Sequence, residues 1–95
     1  MGRERGPKLE TEIDITPEAL TDFIKFSCSN SDLIGLKNIV SKYKCQILTE
    51  KDKNKVMQLL YALSKKEQDN PLFSAELREV VPLFRFKYNL VKEDN

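Results

Sequence analysis

Lys51, Lys55, Lys65 and Lys66 fall within the segment EKDKNKVMQLLYALSKK, and their spacing brings them together if that segment is helical. At about 100° per residue they share one outer face with Gln58 and Ala62, and no acid interrupts it. Lys37, Ser41 and Lys44 make a similar row further upstream. A lysine face of this kind can keep a helix solvated, meet an acidic protein segment, or neutralise phosphates. The phosphate reading is the weaker of the two binding readings. Neither row holds an arginine, whose planar fork suits phosphate and guanine. No aromatic is interleaved for stacking on bases, and the pI of about 7.7 is low for a dedicated nucleic-acid binder.

The rest of the chemical inventory excludes more than it offers. There is no histidine, so the usual near-neutral general base is missing. Cys28 and Cys45, without histidine, cannot complete a four-ligand zinc site. Their number is low for a small secreted domain, which points to free thiols rather than a disulfide framework. Gly35 is the only glycine beyond the N-terminal stretch, so no glycine-rich phosphate cradle can form. Cys28 stands near acids, which raise rather than lower a thiol pKa. The expectation is a non-enzymatic chain with no metal or cofactor.

Three aromatics remain as candidates for a binding groove. Phe26 lies off the main apolar stripe of its segment, Phe73 opens a helix, and Phe86 lies off the helical stripe of the last segment. Each is equally readable as core at a helix junction. With the four lysines they form the candidate site: an apolar groove that receives a peptide or partner helix, with lysines at its rim selecting acidic flanks. The alternative is nucleic-acid binding through the basic faces of the second and third helices.

The elements that must position these residues follow from caps and periodicity. LETEIDI alternates Leu9, Thr11, Ile13 and Ile15 with Glu10, Glu12 and Asp14, a short strand pattern. Thr16 then caps a helix with Pro17 in its first turn, and Leu20, Phe23, Ile24, Ser27 and Cys28 mark its inner side. SNSD caps a second helix with the stripe Leu33, Leu36, Ile39, Val40, Tyr43 and Ile47. Thr49, with Asp52 three residues on, opens a third. Its apolar side is Val56, Met57, Leu59, Leu60, Tyr61 and Leu63. Asn70 and Pro71 open a fourth helix that buries Leu77, Val80 and Val81, and Pro82 should kink or stop it.

Residues 83–91 leave two readings open. LFRFKYNLV alternates as a strand would, yet Val80, Phe84, Tyr88 and Val91 also sit at helical spacing. If both terminal segments are strands, the acids of LETEIDI can face Arg85 and Lys87.

The chain of 95 residues, 40% apolar and 33% charged, fits one small globular domain. Its expected limits are 9–91, between disordered tails at 1–8 and 92–95. Charge is segregated along it. Six acids face one lysine between Glu10 and Asp32, whereas eight lysines face two acids between Lys37 and Lys66. No stretch is apolar enough to span a bilayer, and MGRERGPKLE lacks the apolar core of a secretory signal. The expected setting is intracellular, nucleus or cytoplasm. The expected architecture is mainly α: a bundle of about four short antiparallel helices, with a short terminal strand pair as the open option. The expected role is a protein-binding scaffold or interaction domain acting within a larger assembly, its partner carrying an acidic segment.

Overall fold

The computed structural model describes residues 12–90. The expected tails at 1–8 and 92–95 lie outside that range, as do Leu9, Glu10 and Thr11 of the N-terminal strand pattern. The chain runs β1 (Ile13–Asp14), α1 (Pro17–Ser29), α2 (Leu33–Lys42), β2 (Tyr43–Lys44), α3 (Glu50–Lys66) and α4 (Pro71–Tyr88). It is a small, mainly α bundle of four helices with a minimal two-stranded sheet.

Each helix starts where a side-chain acceptor can reach a free amide. The Thr16 hydroxyl accepts from the Ala19 N–H at 3.1 Å, ahead of Pro17. Asp32 caps α2 through the Gly35 N–H at 2.9 Å. Thr49 and Asp52 form a full capping box at α3, and Asn70 accepts from the Phe73 N–H at 3.2 Å. These groups satisfy donors that the first helical turn cannot pair internally.

The apolar stripes then close one core. Leu20 and Ile24 of α1, Leu36 of α2, Val56 and Leu63 of α3, and Val80 and Phe84 of α4 are all but inaccessible. α3 packs chiefly on α1, α2 packs on both α1 and α4, and α3 and α4 are the most loosely joined of these pairs. Three expected core positions fall outside it. Phe23 lies at the edge of α1 and is 41% exposed. Ile47 lies beyond the end of α2 and is exposed, because the helix gives way to β2 at Tyr43. Tyr61 lies on the outer edge of α3 and is also exposed.

Gly35 makes the α1–α2 corner possible. A Cβ there would lie 2.6 Å from Asp32 Oδ2 and 2.7 Å from Ser27 Oγ. The corner itself turns through Ser31, which takes a left-handed φ of 50° and donates its hydroxyl to Glu67 Oε2 at 2.6 Å.

Of the two readings open for the C-terminal segment, the helical one holds. Residues 83–88 are helical, not a strand, and α4 runs through Pro82 without stopping. Helical geometry stacks Val80, Phe84 and Tyr88 on one buried stripe and leaves Phe86 outside, 89% exposed. A strand would have put Phe84, Phe86 and Tyr88 on one face. Among the described residues no terminal strand pair forms; β1 instead pairs parallel with β2, Ile13 against Tyr43 and Asp14 against Lys44.

The expected meeting of acid and base at the two ends does occur, by a different route. Lys87 reaches from α4 to Glu12 at 3.2 Å and also donates to the Val40 carbonyl at 2.6 Å. Beside it the Tyr88 hydroxyl donates to the Tyr43 carbonyl at 2.6 Å. Asn89, at φ 56°, ends α4 in the left-handed conformation, and its N–H and that of Leu90 both donate to the Arg85 carbonyl.

Candidate functional site: a groove between the third and fourth helices

The loose seam between α3 and α4 opens into a groove of about 740 Å³. Met57, Leu60, Leu77 and Val81 supply its apolar floor. One wall carries Tyr61, Ser64 and Gln68, at positions i, i+3 and i+7 of α3. The other carries Arg78 and Arg85, two turns apart on α4, with Pro82 between them. No aspartate or glutamate lines the groove.

Pro82 adds a polar feature. Proline has no amide hydrogen, so the carbonyl of Arg78, four residues back, lacks its intrahelical donor. Both residues lie on the groove side of α4. The site therefore joins an apolar floor and a pair of guanidinium groups on one wall. This arrangement suits binding.

None of the seven residues singled out from sequence lines this groove. Phe26 is 70% exposed and borders a separate hollow of about 570 Å³ between α1 and α2, with Phe23, Tyr43 and Lys42. In that hollow the Phe23 and Tyr43 rings stand 5.3 Å apart. Phe73 is half-buried against the core. Phe86 stands free on the outer side of α4, next to Arg85 in sequence.

Lys51 and Lys55 are exposed on the first turns of α3. Lys65 sits over the Tyr61 ring, 5.7 Å from its centroid, and Lys66 donates to the Ser29 carbonyl at 2.9 Å. The four lysines are exposed on one side of α3, two of them with recorded contacts to other groups of the chain. In the upstream row Lys37 is paired with Glu76. Lys44 belongs to a third hollow, of about 490 Å³, with Lys53 and Lys87 around Glu12.

Arg78 and Arg85 were not singled out from sequence. They share a face only if residues 71–88 are one helix. A strand from residue 83 would have separated them, so the signal was present at i, i+7 but hidden by the ambiguity of that segment.

The nucleophile inventory is quiet. Cys28 and Cys45 are free thiols, and burial pushes the Cys28 thiol up to about 11, against a smaller opposing pull from Lys66. Burial, then Glu12 and Cys45, raises the Tyr88 phenol above its ordinary range. Both groups stay protonated and unreactive at neutral pH. Among the described residues no three His, Cys, Asp or Glu side chains converge as metal ligands. Nor is any described helix long and apolar enough to cross a membrane. Comparison with protein-family models, with curated proteins and with solved structures found no match.

Proposed function

We propose that the chain is a non-enzymatic protein-interaction module that holds a peptide or partner helix in the α3–α4 groove. The observation that carries this reading is the groove itself: an apolar floor open to solvent, walled by two helices and rimmed by polar groups. The setting we propose is intracellular, which the free thiols of Cys28 and Cys45 support. The site is displaced from the lysine-rimmed one expected from sequence, and its cationic rim is arginine.

Nucleic-acid binding through the basic faces of α2 and α3 has less support. Lys37 is neutralised by Glu76 and Lys66 is tied to the α1–α2 corner. Of the remaining lysines only Lys65 has an aromatic ring recorded beside it, that of Tyr61, and neither lysine row holds an arginine for bidentate phosphate or base contacts.

A test is to select binders from a displayed library of random peptides and titrate them into wild type and Ala75→Trp. Ala75 is exposed and lines the groove, so the indole fills the site without entering the core. Loss of binding in Ala75→Trp is the expected result. Undiminished binding would place the interaction elsewhere.

A further inference from the structure

We infer that the occupant of this groove is an amphipathic helix of three to four turns whose acidic residues lie on one flank only, about two turns apart. The inference rests on the reading of the groove as an interaction site and adds the chemistry of the partner.

The two walls differ in charge. Arg78 and Arg85 are seven residues apart, about 10 Å along α4. Both are exposed, and among the described residues neither is within ion-pair distance of a carboxylate, whereas Lys37, Lys53 and Lys87 each are. Opposite them stand the neutral Tyr61, Ser64 and Gln68, with no acid anywhere on the lining. The guanidinium groups that line the groove therefore stand on one wall only, while on the other side the Lys65 ammonium lies behind the lining, over the Tyr61 ring. A guanidinium fork matches a carboxylate through two parallel hydrogen bonds, stronger than neutral ones. Acids seven residues apart on a partner helix have the same rise and meet both forks at once.

The occupant is a helix for a reason of backbone chemistry. Both walls are helices whose amides are already paired, so an extended peptide would gain no ladder of main-chain bonds. A helix satisfies its own backbone and needs only side-chain contacts. From Met57 to Gln68 the α3 wall spans about 16 Å, which sets the occupant at three to four turns. A phosphate backbone would have to lie against the apolar floor, where its charges lose water without compensation.

The test uses a displayed library of 16-residue helix-biased peptides, selected at physiological salt and sequenced. Enriched peptides are then titrated into wild type, Ala75→Trp, Ser64→Trp and the double variant Arg78→Gln/Arg85→Gln. All four substitutions are at exposed positions, and thermal melts verify that each variant is folded. The expected result is enrichment of Asp or Glu at two positions seven apart beside an apolar stripe. The double variant should then weaken binding roughly tenfold or more, as loss of two charge-assisted contacts implies. Peptides that either tryptophan abolishes, but that show no acidic preference and ignore the double variant, would overturn the charge inference and leave the groove reading intact. Peptides indifferent to both tryptophans, or no enriched peptide at all, would overturn the groove reading itself. A 20-base-pair duplex that binds wild type but not the double variant, with no peptide enriched, would replace the helix by a nucleic acid.

Discussion

Cys28 and Gly35 show how single residues on α1 and α2 set limits that can be measured. In the unfolded chain the Cys28 thiol ionises near its ordinary 9.0, whereas in the fold it keeps its proton to about 11. Between those values the native state binds more protons than the unfolded state, so stability falls as pH rises and is complete below pH 9. Tyr88 acts in the same direction above its own ordinary 10.0. Thermal unfolding from pH 8 to 11 should show a falling midpoint, with a shallower fall between 9 and 10 in Cys28→Ala. Parallel curves would mean that the thiol is as wet as in the unfolded chain. At Gly35, alanine normally gains about 1 kcal/mol in a helix. Here its Cβ would strike the Asp32 cap and the buried Ser27. Gly35→Ala should therefore lose about 1 kcal/mol net, through the cap and local overpacking. A raised melting temperature would contradict the close α1–α2 approach.

At the scale of elements, what could be read from sequence divides by whether two periodicities compete. α1 and α3 were legible because each has an N-cap, a charged first turn and a stripe with no rival reading. Val56, Leu60 and Leu63 are buried as their spacing requires. Leu60→Ala should cost about 2–5 kcal/mol, the range for an enclosed leucine, read from chemical denaturation. An unchanged midpoint would mean that α3 does not face the core. The end of α4 was not legible, since Phe84 and Tyr88 are buried by a period of two and by a helical period alike. Phe86 was the deciding residue, and only packing decides it: once Phe84 and Tyr88 pair at 5.8 Å on the helical stripe, Phe86 points outward. The parallel β1–β2 pair was hidden for another reason. Two residues of strand carry too little pattern to register, and Tyr43 and Lys44 read as the continuing stripe of α2. The latch formed by Lys87 and Tyr88 joins these elements. Tyr88→Phe should cost about 1 kcal/mol by leaving the Tyr43 carbonyl without its donor. Equal stability of the two proteins would remove the latch from the fold's energetics.

At the scale of the whole molecule, the segregated charge is partly settled within the fold. Glu12 meets Lys87 across the chain, and Lys37 meets Glu76. What stays open is the seam between α3 and α4, with arginines on one side and neutral side chains on the other. The lysines that dominate the sequence drew attention to composition. The seam depends on how two helices separated in sequence by a tight turn diverge, which no single segment records. Lys51, Lys55, Lys65 and Lys66 replaced together by glutamine should barely change stability, because exposed charges contribute little. The central claim is that this seam is where a partner docks. The most direct measurement is amide chemical-shift mapping by NMR while a selected helical peptide is titrated into the 95-residue chain. The expected result is that the largest shifts fall on Met57, Tyr61, Ser64, Ala75, Arg78 and Val81. Shifts confined to Phe23, Phe26 and Tyr43 would contradict it and move the interaction to the hollow between α1 and α2.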